Sequence, residues 1–239
     1  MVAPPAGDRF SPEVSPATVR DRAHERPLEI TYLGNVVARK GLDALVEGLA
    51  RVGGPGADDS RVDGPCVGDP HADDPHVDDP RAADWRLTVV GDATVEPAFV
   101  DDVRDRVADL GIADRVRFAG RLDDDAVASR LRETHVLAVP SRYEPFGMAY
   151  LEAMGFGCVP LAAAAGGASE CVRDGENGFL VPPDDPAAIA DRIRRLTDRD
   201  RLAEMGVTAR RDYAAWPTWT ETADVAVDFL ESLAATEGR

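Results

Sequence analysis

Two glutamates, Glu144 and Glu152, are separated by seven residues in the stretch Ser141-Arg-Tyr-Glu-Pro-Phe-Gly-Met-Ala-Tyr-Leu-Glu152. An apolar run, His135 to Pro140, precedes the stretch, and an apolar segment of helical character follows it. This order places Glu144 on a strand-to-helix loop and Glu152 about two turns into the helix. In an open α/β sheet, ligands bind in the crevice at the carboxyl ends of the strands. A helix start there offers free backbone amides and a partial positive charge to an anion. A hydroxyl-binding carboxylate at each end, with anion-friendly Phe146-Gly147 between, suits a nucleotide sugar: sugar hydroxyls, diphosphate, ribose hydroxyls. The plainer alternative is a helix whose first turns merely carry acids.

These residues need elements to hold them, and the rest of the chain supplies alternating apolar runs and amphipathic segments. Leu28–Leu33 reads as a strand ended by Gly34, and Leu42, Leu45, Val46 and Leu49 recur at helical spacing up to Val52. Further strands are predicted at 86–90, 116–119, 135–140, 159–162 and 178–181. Helices are predicted at 95–110, 123–133, 147–156, 186–197, 199–213 and 218–234, with a short helix starting at Gly166. Short apolar strands alternating with helices imply a parallel, doubly wound sheet, a single Rossmann-like α/β domain. We assign that domain to 28–215, with 1–27 as a Pro/Ala-rich linker-like tail and 216–239 as a C-terminal helix.

Residues 53–84 differ in composition. A five-residue repeat (Asp69-Pro-His-Ala-Asp, Asp74-Pro-His-Val-Asp, Asp79-Pro-Arg) marks an acidic, low-complexity insertion. Lacking an apolar face, it cannot offset its ordering entropy and is expected to be disordered. His71 and His76 beside aspartates have the chemistry to ligate a metal, but a solvated low-complexity loop is the preferred reading and no metal site is assigned.

The chain of 239 residues carries 44 acidic and 27 basic residues, a formal net charge of −17, and all but one of its bases are arginine. Such a surface disfavours nucleic acid or an anionic membrane as partner. It suits a salt-rich cytosol, where repulsion is screened within about 3 Å at 1 M salt. Cys66, Cys158 and Cys171 are too few and scattered for a disulfide framework or zinc site. No apolar run reaches the roughly 18 residues of a membrane span, and no signal segment opens the sequence. A cytoplasmic location is the expectation.

Six segments in order resemble the nucleotide-sugar-binding, C-terminal half of retaining GT-B glycosyltransferases of the group 1 (family four) type. They are Gly34–Gly41, Val89-Val-Gly-Asp92, Arg117–Arg121, Ser141–Met154, Gly166–Glu170 and Asp174–Pro182. The resemblance implies a hexosyltransferase acting with retention on a UDP-, GDP- or ADP-hexose, without metal or other cofactor. It implies that Glu144 faces the donor sugar, that Glu152 accepts from the ribose hydroxyls, and that Phe146, Gly147 and Met148 offer amides to sugar or phosphate. It makes Lys40, the sole lysine, the diphosphate cation. A fixed cation there stabilises a leaving group that gains charge in the transition state.

The sequence departs from the family at Asn35, where an arginine normally pairs with the lysine. Arg39 is the neighbouring candidate for a second cation. Arg121 and Leu122 occupy the position that lines the base pocket through its backbone, though Arg121 as a surface base is equally compatible. Gly166 and Gly167 fit either a close backbone approach or a plain tight turn. The resemblance also implies an N-terminal acceptor half, supplied by another chain, and likens residues 2–12 to an interdomain linker. A non-catalytic nucleotide-sugar-binding module, or a fragment of a disrupted transferase, is the competing expectation.

Overall fold

The computed structural model describes residues 9–52 and 84–237, with side chains up to residue 232. Six strands form one fully parallel sheet: β1 (Leu28–Leu33), β2 (Trp85–Val90), β3 (Val116–Gly120), β4 (Val136–Val139), β5 (Val159–Ala163) and β6 (Phe179–Val181). Their spatial order is β3-β2-β1-β4-β5-β6. Chain direction along the sheet therefore reverses between β1 and β4, which makes the gap beyond their carboxyl ends the topological switch point.

The helices are α1 (Pro16–Ala23), α2 (Leu42–Ala50), α3 (Pro97–Asp109), α4 (Asp124–Glu133), α5 (Met148–Gly155), α6 (Ala168–Cys171), α7 (Pro186–Arg195), α8 (Arg199–Ala214) and α9 (Trp219–Glu237). Right-handed crossovers running in opposite directions from β1 and β4 put α2 and α3 on one face and α5 on the other. Accordingly α2 packs with α3 and α7, while α1 and α5 pack on α8. Helices on both faces explain why the strands are near-continuous apolar runs: Val136 to Val139 and Val159 to Ala163 are buried at every position. Leu42, Leu45, Val46 and Leu49 of α2 are fully buried, as their spacing requires.

Most predicted elements agree with the structure to within one to three residues. The exception is the segment read as a linker-like tail, whose described part is built into the fold. Ser15 caps α1 by accepting from the Thr18 amide at 3.1 Å, and Pro16 occupies its first turn. Gly157 and Gly206 leave room for Val19: a Cβ on either would stand 2.4 Å and 2.9 Å from its methyl groups. Arg22 is buried and donates to the carbonyls of Gly157 at 2.8 Å and Arg132 at 3.0 Å. The eight-residue helix has only a narrow apolar stripe, so its stability comes from these tertiary contacts rather than from periodicity.

Cys158 and Cys171 are buried thiols, pushed up to about 11 and about 12 by desolvation, which makes them core residues. Cys66, His71 and His76, and all but the last residue of the 53–84 insertion, lie outside the described residues. Among the described residues no three His, Cys, Asp or Glu side chains gather as a metal site, and no helix is long and apolar enough to cross a membrane.

Candidate functional site

The loops at the carboxyl ends of β1 and β4 carry two of the candidate residues, Lys40 and Glu144. After β1 the chain turns at Gly34 and runs through a short 3-10 turn, Ala38–Lys40, into α2. After β4, the loop Pro140–Gly147 leads into α5. The Lys40 ammonium stands 3.7 Å from the Glu144 carboxylate, and both side chains are largely covered. Ser141, fully buried, points its hydroxyl at the same carboxylate from 3.4 Å. At an effective dielectric near 20 such a pair attracts by about 4 kcal/mol, most of it offset by desolvation. A polyanionic ligand that takes the ammonium must therefore leave the covered carboxylate another hydrogen-bonding partner.

The two glycine segments shape this end of the crevice. Gly34 has φ +143°, and a Cβ there would stand 2.7 Å from the Lys40 ammonium, so the lysine lies directly over the glycine backbone. Gly166 has φ +81° and forms a parallel bridge with Glu144; its Cβ would stand 2.1 Å from the Glu144 carbonyl oxygen. The Gly167 amide donates to that same oxygen at 2.7 Å. Close backbone approach, rather than an isolated tight turn, is thus what Gly166-Gly167 provides.

Helix α5 begins with Gly147 as N-cap, and no side chain caps it. The first amides of an α-helix have no intrahelical acceptor, so those at Gly147 and Met148 are open to an anion. Phe146 beside them is 61% exposed. Tyr150 anchors the helix start beneath: it is buried and its hydroxyl donates to the Val139 carbonyl at 2.5 Å.

Glu152, just over one turn into α5, pairs with Arg9 and belongs to a second group. It is 6% exposed, and burial raises its pKa, an effect partly opposed by the Arg9 guanidinium 3.6 Å away. Arg9 also bonds Asp124. An open groove of about 780 Å³ is lined by Arg9, Arg121, Leu122 and Asp123 to Asp125. Sequence reasoning missed Arg9, because its segment was read as a tail. The buried position of Phe10 beside it is a tertiary effect.

The departure at Asn35 has a structural counterpart. Asn35 is exposed, and its backbone carbonyl accepts from the Tyr32 hydroxyl at 3.0 Å. The Arg39 guanidinium donates to the Tyr143 carbonyl at 2.5 Å, on the backbone just before Glu144. Lys40 is therefore the cation that faces Glu144, while Arg39 ties the two loops together.

A model of the family described as "Glycosyl transferases group 1" matches residues 75–212. The chain is 32% identical over 227 residues to D-inositol 3-phosphate glycosyltransferase from Geodermatophilus obscurus, covering 94% of this chain and 45% of that protein. It is 30% identical over 234 residues to GDP-mannose-dependent alpha-(1-6)-phosphatidylinositol monomannoside mannosyltransferase from Mycobacterium tuberculosis, covering 93% of this chain and 53% of that protein. The sucrose-phosphate synthase structure from Thermosynechococcus elongatus superposes with a TM-score of 0.72 at 27% identity, over 98% of this chain and 52% of that one. The chain thus spans about half the length of these relatives. With its sheet order, its switch-point crevice and these matches, the chain belongs to the group 1 glycosyl transferases and has the Rossmann-like fold of one half of a GT-B enzyme.

Proposed function

We propose that this chain is the donor-binding half of a hexosyltransferase that takes its sugar from a nucleoside-diphosphate sugar. The observation that carries the reading is the Lys40–Glu144 pair at the switch point, beside the uncapped start of α5. In this reading the diphosphate takes the Lys40 ammonium and the open amides at Gly147 and Met148. Glu144, released, turns to a sugar hydroxyl, and Glu152 accepts from the ribose at the Arg121–Leu122 groove. As the glycosidic bond breaks, Lys40 meets a leaving group of growing charge, an interaction stronger in the transition state than in the ground state. Front-side displacement would then deliver the acceptor to the face the diphosphate leaves, with configuration retained. The acceptor is held by an N-terminal half, whether on another chain or on further sequence of the same protein.

A second reading, a nucleotide-sugar-binding module without transfer activity, draws on Asn35 and on the engagement of Arg39, which leave the diphosphate one cation fewer. Both readings require nucleotide binding. Calorimetric titration with UDP, GDP and ADP, in multimolar KCl so that the net charge of −17 is screened, tests it. Binding of none of the three would end the proposal. Lys40→Ala should lower diphosphate affinity about tenfold or more, the loss of a charge-assisted contact, while leaving nucleoside affinity unchanged. Transfer or donor hydrolysis on addition of an N-terminal half separates the enzyme from the module.

A further inference from the structure

Lys40 and Glu144 come from loops after different strands, so something must fix one against the other. The contacts that do so centre on Arg142. Its amide donates to the Arg39 carbonyl at 2.8 Å, and its guanidinium donates to the Ala38 carbonyl, 104 positions away in sequence. Arg39 returns a bond to the Tyr143 carbonyl at 2.5 Å. The turn carrying Lys40 is thus bonded, with donors from each, to the loop carrying Glu144.

The guanidinium is itself held from two further elements. Asp43, in the first turn of α2, accepts at 2.8 Å, and Asp184, on the β6–α7 loop, accepts at 2.7 Å and 3.0 Å. Asp184 is the one non-glycine residue with positive φ (55°) among the described residues. A residue kept in that sparsely populated region is held there by its surroundings. Nε and both terminal nitrogens of Arg142 are engaged: Nε with Asp184, one terminal nitrogen with Ala38 and Asp43, the other with both aspartates. No nitrogen is left to face a phosphate.

We infer that Arg142 is a positioning residue: fully engaged by Ala38, Asp43 and Asp184, it sets the Lys40 turn against the Glu144 loop and so places the one lysine of the sequence. The inference rests on the donor-binding reading for its consequence, but its geometry can be read without any ligand. A planar fork with fixed donor directions suits this task, and a lysine could not reproduce it.

Because Lys40 is the sole lysine, selective 13Cε-lysine labelling gives one side-chain NMR signal from the intact chain. In the wild type that signal should shift when Glu144→Gln is introduced. In Arg142→Ala it should move toward the free-lysine position and lose its response to Glu144→Gln, with melting still cooperative. The affinity ratio of UDP to uridine should fall about tenfold, with uridine affinity unchanged. In a Lys40→Ala background, Arg142→Ala should bring no further loss. Asp184→Asn, which keeps the guanidinium, should give a smaller change of the same sign and serves where Arg142→Ala does not fold. An unchanged Lys40 signal, or an equal affinity loss in both backgrounds, would overturn the inference. If the wild type binds no nucleoside diphosphate, the donor reading fails while the Lys40 signal still decides the role of Arg142.

Discussion

The Lys40 ammonium lies across the Gly34 backbone, 2.7 Å from where a Cβ would stand, so the shape of the first loop and the place of its cation are one property. Gly34→Ala adds that Cβ and forces an L-residue into φ +143°, a conformation costing on the order of 1–3 kcal/mol. The lysine tip can swing aside, but only by leaving Glu144. We expect a lower melting temperature together with a fall in the UDP-to-uridine affinity ratio, both readable by calorimetry. Retention of the ratio would show that Lys40 reaches the phosphates from elsewhere.

Gly166 bears the same relation to Glu144, with its Cβ position 2.1 Å from a backbone oxygen that cannot swing aside. Gly166→Ala should therefore displace the Glu144 loop itself. The expected outcome is loss of sugar-dependent binding, measured as the difference between UDP-glucose and UDP, or between the corresponding GDP ligands. Equal losses for both ligands would indicate general unfolding instead.

Glu152 separates stability from binding. Its folded pKa is raised by burial, so the charged form is held at a cost above the ordinary carboxylate range. Glu152→Gln removes that cost while keeping the shape, and should hold or raise the melting temperature at pH 7. Its affinity for nucleoside should fall, because an amide accepts ribose hydroxyls less strongly than a carboxylate. A variant that loses stability but keeps nucleoside affinity would place the ribose elsewhere.

His135 predicts a pH dependence unrelated to the site. Its Nδ1 accepts from the Glu29 amide at 2.8 Å and its Nε2 donates to the Arg22 carbonyl at 2.6 Å, an arrangement only the neutral ring can make. Burial, with the charges of Arg22, Arg199 and Arg130, pushes its pKa down to about 4 from 6.5. Between those values the unfolded chain binds the proton and the folded chain does not. The stabilisation is therefore complete above about pH 6.5 and lost as pH falls toward 4, by up to about 3 kcal/mol. Denaturant unfolding from pH 7 to 5, at fixed salt, should show this slope in the wild type. His135→Leu should be less stable overall and flatter across the window; an identical slope would assign the effect to other groups.

The strands, most of the helices and the loop after β4 were legible from sequence for one reason: each is announced by local periodicity or by a glycine stop. Residues 135–140 and 147–156 were readable as a strand and a helix because four or more consecutive apolar residues have few other uses. Helix α1 was not legible, since an eight-residue segment with three buried side chains gains its stability from Gly157, Gly206 and the carbonyls that Arg22 reaches. Arg9 beside Glu152 was hidden for the same reason.

By itself, then, the sequence determined the alternating βα order, the glutamate pair on either side of a helix start, and the lone lysine after the first strand. Only the tertiary structure decided which of these meet. It brings Lys40 to Glu144, sets Glu152 with Arg9 in a second group, and turns Arg39 and Arg142 into ties between loops. Periodicity encodes which face of an element is buried, and that is local. Which loop ends share a crevice depends on strand order across the sheet, here the reversal between β1 and β4, and that is a property of the whole packed chain.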